Sequence, residues 1–306
     1  MTEPAIESIV ARVVEPRVEP ASGPVTGSAP ASRGASAATP PWGSYVVANV
    51  VAGLTTPFRA PRGAWTSRLM PAWRRYAPYA LPIVAVIAGC MAFVDAPMMR
   101  AAEALPGGVL DAFNELTDYG RGAWPLIPLF VLLLTTPILC VPRLGLMGRG
   151  AVTAAAIRIG YMFLAIGLAG LADTIVKRLV GRVRPSDFGP FAYEPFSWRS
   201  IYASFPSGHA TNVFATLVAV GFVFPRLRPA LWVYALVIGA SRVIVSAHYT
   251  SDVMAGAVFG AFGAIVVRDW FAARRLGFYV DREGRVHAMP GPWRRLFRVA
   301  RALLGQ

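Results

Sequence analysis

From about residue 79 onward the chain alternates long apolar runs with short polar connections. The runs fall at roughly 79–95, 124–142, 152–176, 210–225, 230–248 and 251–267. Each is close to the roughly 20 residues an α-helix needs to cross the hydrocarbon core. Only helices or closed barrels satisfy their backbone polar groups in lipid, so the pattern predicts an all-α, polytopic membrane protein with a six-transmembrane-helix bundle. The flanks read differently. Residues 1 to about 44 are rich in Pro, Ala, Ser and Gly and lack the basic-then-apolar order of a signal peptide, which predicts a disordered tail. The apolar stretch Tyr45 to Leu54 is too short to span. Residues 64–79 interleave Trp65, Trp73, Tyr76 and Tyr79 with Arg68, Arg74 and Arg75, the mixture of a chain reaching headgroup level.

After the last run, Phe278 to Ala288 is expected to form a small hairpin around Glu283-Gly284. Trp293, Leu296, Phe297, Ala300, Leu303 and Leu304 then recur at helical spacing, with Arg294, Arg295, Arg298 and Arg301 between them. That pattern predicts an amphipathic helix lying on anionic lipid. The expected organisation is a tail with an interfacial segment over 1–75, a membrane domain over 76–267 and a basic tail over 268–306.

Composition supports the membrane reading. The chain is 55% hydrophobic and 15% charged with a mean hydropathy of +0.50, too apolar for a soluble domain of 306 residues. Its net charge of +14 does not imply nucleic acid, because the basic residues sit mostly at the ends of apolar runs rather than on one soluble face. Six spans put both termini on one side. Arg-rich tails, Arg143 with Arg149, and Arg226 with Arg228 mark that side as the cytoplasm, whereas the 96–123 connection sets Glu103, Asp111, Glu115 and Asp118 against two Arg. The 177–209 connection then faces the periplasm or outer face of a bacterial inner membrane. It carries Lys177, Arg178, Arg182, Arg184 and Arg199 where basic residues are disfavoured, and an anionic substrate would account for them. Cys90 and Cys140 lie inside apolar runs as small hydrophobes.

Three polar clusters occur where spans meet that outer face. The first is Lys177-x6-Arg184-Pro185, holding the only Lys among 30 basic side chains. The second is Ser204-Phe205-Pro206-Ser207-Gly208-His209, and the third is Ser241-Arg242-x5-His248-x3-Asp252. Lys177, Arg184 and Arg242 bring three cations to one leaflet, and guanidinium groups suit bidentate phosphate binding. Arg178 and Arg182 read instead as snorkelling cations at a helix end, and Arg158 the same at the opposite end. Ser207 caps an apolar helix whose first N–H groups, from Ser207, Gly208 and His209, point toward an anion. His209, with an unperturbed pKa near neutral, suits a proton donor beside a bound phosphate. His248 and Asp252, four apart on a helix, fall on one face, so the carboxylate fixes the imidazole tautomer and leaves the other nitrogen free to attack phosphorus. Asp173, one turn before Lys177, is placed to orient or neutralise it. His287, in the tail, reads as a solvated residue.

Taken in order, these clusters resemble the three-part signature of the type 2 phosphatidic acid phosphatase superfamily, with every signature position filled over residues 76–267. The resemblance implies a membrane lipid phosphatase in which His248 is the nucleophile, Asp252 orients it and His209 protonates the leaving group and then activates water. Lys177, Arg184, Ser207, the Gly208 N–H and Arg242 would hold the phosphoryl oxygens. It implies no metal and no other cofactor, in keeping with the lack of a carboxylate cluster that would hold Mg²⁺. Expected substrates are undecaprenyl diphosphate, lipid A phosphate, phosphatidylglycerol phosphate and phosphatidic acid, met among membrane lipids. Phosphotransfer to another lipid would use the same residues. A non-catalytic lipid-phosphate binder or transporter would not need His248, His209 and Asp252 together. The signature also occurs in vanadium-dependent haloperoxidases, from which six spans and the lack of a large soluble helical domain separate this chain.

Overall fold

The computed structural model describes residues 42–61, 70–140, 144–185, 189 and 191–303. The expected disordered tail up to residue 41, the interfacial Trp65 and Arg68, and Arg143 lie outside the described residues. The helices are α1 (Trp42–Thr55), α2 (Ala72–Phe93), α3 (Asp95–Glu103), α4 (Gly107–Thr117), α5 (Ala123–Leu139), α6 (Gly145–Val180), α7 (Gly208–Val223), α8 (Arg228–Ile244) and α9 (Thr250–Ala273). A short hairpin, β1 (Phe278–Val280) with β2 (Val286–Ala288), and α10 (Trp293–Leu303) close the chain.

Among the described residues, five helical stretches are long and apolar enough to cross a membrane: α2, the α4–α5 run, α6, the helix ending at Ile244, and α9. The remaining expected span, α7, has 16 residues. At 1.5 Å per residue it reaches roughly 24 Å. It sits at the centre of the bundle, packed on α6, α8 and α9. Close approach is what places it there. Gly256 and Gly260, one turn apart on α9, face the α7 backbone, and a Cβ on Gly260 would collide with the Thr211 carbonyl. Ala165, Ala169, Ala215, Ala219 and Ala264 continue this small-residue seam. Small residues let helices meet where lipid supplies no hydrophobic drive toward association.

Successive spans run antiparallel, so the C-termini of α2, α6 and α8 and the N-termini of α7 and α9 gather at one end of the bundle. The opposite end is closed by polar ties. Arg75 at the start of α2 pairs with Asp269 near the end of α9. The Trp270 indole donates to the Pro57 carbonyl at 2.8 Å. The tail-side apolar stretch is helical as α1, and it docks on the second span through Asn49, whose amide donates to the Pro137 and Cys140 carbonyls.

The hairpin forms where expected, with Phe278 opposite Ala288 and Val280 opposite Val286. Phe278 is buried against Tyr161, which joins it to the core. Arg158 does not snorkel. It is buried and donates to the Ala154, Met289 and Pro290 carbonyls, so it clamps the tail to α6. His287 is exposed, with its Nε2 2.7 Å from Asp281.

Candidate active site

The gathered helix ends carry all three polar clusters. Lys177 comes from the last turn of α6, and its ammonium lies 3.3 Å from Asp173, which also accepts from the Thr211 hydroxyl at 2.9 Å. Asp173 thus ties Lys177 to α7. A Cβ on Gly208 would stand 3.2 Å from the Lys177 nitrogen, so the ammonium rests at the α7 N-terminus, where the positive end of that helix adds to its field. Arg184 sits on the segment leaving α6, held by its N–H to the Ile201 carbonyl at 2.8 Å. Arg242, in the last turn of α8, donates to the Thr117 hydroxyl at 2.8 Å. The charges of Lys177, Arg121 and Arg242 all bear on His209, and those of Arg184 and Arg242 on each other. Like charges converging in this way raise the local concentration of anions.

Three donors point the same way. Arg184 Nε, Arg242 Nε and Ser207 Oγ are buried without a hydrogen-bond partner among the described residues. A buried donor left unpaired costs about 1–3 kcal/mol. Three beside the phosphate-holding cations at one end of the bundle therefore mark a place built for a guest rich in acceptors. Ser207 corrects one expectation. Its hydroxyl makes no capping bond, and its N–H is taken by the Asp252 carbonyl at 3.0 Å. The side chain, rather than the amide, is the group left for a ligand.

His248 also departs from the sequence picture. It precedes α9 rather than lying on it, because Tyr249 is the N-cap and the Asp252 carboxylate accepts the Tyr249 N–H at 3.0 Å. His248 Nδ1 stands 3.8 Å from Asp252 Oδ2, too far for a direct hydrogen bond. Ser204 bridges them, 2.6 Å from Asp252 Oδ2 and 3.4 Å from His248 Nδ1. The Nδ1 edge thus faces Ser204 and Asp252, which leaves Nε2 for chemistry. Burial pulls the imidazole down to about 4, with Lys177 and Arg184 adding to the effect and Asp252 opposing it, so the ring is neutral at neutral pH.

His209 opens α7, and its ring lies against Gly120. A Cβ on Gly120 would stand 2.9 Å from His209 Cδ2 and collide with Ile238. The 117–122 segment therefore walls the site, which no sequence motif announced. Arg182 is a second correction. It is fully buried, donating to Asp252 Oδ1 at 2.5 Å and to Asp95 Oδ2 at 2.9 Å. Arg178, in contrast, stays near the surface over the Trp198 ring and donates to the loop carbonyls of Ser197 and Arg199. Asp95, Ser204 and Thr117 were not singled out as site residues. The one available signal was Asp95, an ionisable residue at the end of an apolar run.

Comparison with known proteins identifies the family. The PAP2 superfamily profile matches residues 158–276, the stretch holding all three clusters. The chain is 37% identical over 243 residues to the lipid A 1-phosphatase of Rhizobium johnstonii, covering 76% of this chain and 93% of that protein. It is 35% identical to the lipid A 1-phosphatase of Rhizobium etli, covering 70% and 93%. A crystal structure of a transmembrane PAP2 type phosphatidylglycerolphosphate phosphatase from Bacillus subtilis aligns at 23% identity and a TM-score of 0.46, over 63% of this chain and 94% of that one. With relatives matched over nearly their whole length and the profile lying on the helices that carry the site, this multi-pass membrane protein is a lipid phosphatase and belongs to the PAP2 superfamily.

Proposed function

We propose that the protein removes the 1-phosphate of lipid A through a phosphohistidine on His248. The observation that carries the chemistry is the set of unpartnered buried donors, Arg184 Nε, Arg242 Nε and Ser207 Oγ, beside a neutral histidine whose Nδ1 edge is already held. The choice of lipid A rests on the two relatives of that name, matched over 93% of their length.

In this reading Lys177, Arg184, Arg242, Ser207 and the Gly208 N–H cradle the phosphoryl oxygens and stabilise the charge that builds on them. Nε2 of His248 forms a bond to phosphorus as the bond from phosphorus to the lipid oxygen breaks, and His209, protonated once the bound phosphate offsets the neighbouring cations, gives its proton to that oxygen. Asp252, through Ser204, balances the positive charge gained by the His248 ring. Water then attacks phosphorus, His209 takes a proton from it, and the N–P bond breaks to release phosphate. The Arg asymmetry between the two ends of the bundle supports a site on the periplasmic side with cytoplasmic termini.

The test is to incubate the purified protein with ³²P-labelled lipid A in detergent containing EDTA, then quench. Protein-bound label that survives alkali but not acid, with loss of the 1-phosphate, is expected. Label that survives acid but not alkali would assign a different nucleophile, and phosphate taken only from other lipids would remove lipid A. A second expectation concerns the wall beside His209. Gly120→Ala should displace that ring and lower kcat roughly 10- to 100-fold, since misplacement by about 1 Å can cost 100-fold. A wild-type kcat in this variant would show that His209 does not need its observed position.

A further inference from the structure

We propose that Asp95 is a positioning residue of the phosphatase: from the outer end of the first span it holds Arg182, and through it the Asp252 carboxylate, in the arrangement His248 requires. The inference rests on the reading of His248 as nucleophile.

Asp95 opens α3, directly after α2, and is fully buried. Its Oδ1 accepts the Ser251 N–H at 2.9 Å. Its Oδ2 accepts the Ser251 hydroxyl and Arg182 Nη2, the latter at 2.9 Å. Arg182 reaches on with Nη1 to Asp252 Oδ1 at 2.5 Å and Ser251 Oγ at 2.7 Å, its guanidinium 4.3 Å from the centre of the Tyr249 ring. The other oxygen of Asp252 accepts from Ser204 and from the Tyr249 N–H. A buried row therefore runs carboxylate, guanidinium, carboxylate, imidazole, with each carboxylate oxygen engaged.

The charges explain why the row needs its far member. Two carboxylates against one guanidinium leave one negative charge in reserve beside His248. That reserve offsets the positive charge the ring gains when Nε2 takes phosphorus. With Asp95 neutral, Arg182 would cancel Asp252 and the reserve would vanish, although the phosphate cradle of Lys177, Arg184, Arg242 and Ser207 would be untouched. Losing an interaction that is made only as the ring becomes charged lowers kcat and spares binding.

The experiment compares wild type, Asp95→Asn, Asp95→Asn/Arg182→Gln and His248→Ala on lipid A and phosphatidic acid in detergent micelles, with inorganic phosphate as competing ligand. For Asp95→Asn we expect kcat to fall roughly 10- to 100-fold, as loss of an orienting partner does elsewhere. KM and the inhibition constant of inorganic phosphate should stay within about threefold. The double variant restores the single negative charge beside His248, so its kcat should lie above that of Asp95→Asn and below wild type, which a purely structural role would not produce. A wild-type kcat in Asp95→Asn, or a double variant no better than the single one, overturns the proposal. Where Asp95→Asn does not accumulate as folded protein, a wild-type kcat in the double variant overturns it. Turnover retained by His248→Ala, or absent from the wild type, sinks the nucleophile reading instead and is distinguished by that arm alone.

Discussion

His248→Ala is expected to release phosphate at least about 10⁴-fold more slowly than the wild type, in line with removal of a nucleophile from an otherwise intact site. The prediction is specific because the phosphate-holding groups are separate from the attacking one. Lys177 is placed by Asp173, Arg242 by Thr117 and Arg184 by the Ile201 carbonyl. None of these contacts involves the His248 side chain. The variant should therefore still bind inorganic phosphate, read as protection against thermal unfolding in detergent, while giving no acid-labile phosphoprotein. A variant that loses phosphate binding together with turnover would place His248 among the binding groups. One that keeps turnover would move the nucleophile elsewhere. The neutral state of the ring matters to this outcome. Its pKa is pulled to about 4, below the usual histidine value. The free imidazole thus persists on the acid side of neutrality, and the nucleophile is lost to protonation only as pH falls toward that value.

Arg182→Met should have the largest effect on stability. It removes the one cation between Asp95 and Asp252, both fully buried, and leaves two carboxylates facing each other across a space of similar volume. Breaking a buried pair by removing one partner typically costs about 3–5 kcal/mol. For a chain of this size that corresponds to a fall of about 10 °C or more in Tm, measured in detergent by intrinsic fluorescence. Arg178→Met is the control. Arg178 also sits at the end of α6 but stays near the surface, so its loss should be worth no more than about 1 kcal/mol. Equal effects of the two substitutions would mean that the burial of Arg182 contributes nothing to its role.

That pair of arginines also shows where sequence reading ends. Both lie in one basic stretch after a long apolar helix, and helix-end snorkelling fits either. Only the return of a distant segment, Asp95, together with the α9 N-terminus, makes one a buried counter-ion and leaves the other to pack on Trp198. The same holds for Ser204. It belongs to a recognisable cluster, but its place between His248 and Asp252 depends on the exact start of α9. The spacing of four residues suggested a direct contact on one helix face, whereas the cap at Tyr249 puts His248 ahead of the helix and opens the gap that Ser204 fills.

The sequence alone was sufficient for the membrane class, the approximate places of the apolar helices, the hairpin, the amphipathic tail helix and the three motif clusters, but not for the two short helices inside the 96–123 connection. These rest on local physics: the period and length of apolar runs, turn chemistry, and residue types whose chemistry is intrinsic. The tertiary structure decided which buried charges meet. Asp95 with Arg182, Thr117 with Arg242 and Gly120 with His209 are contacts between segments far apart in the chain. Each depends on helices approaching to within a methyl group, and no local pattern encodes such a distance.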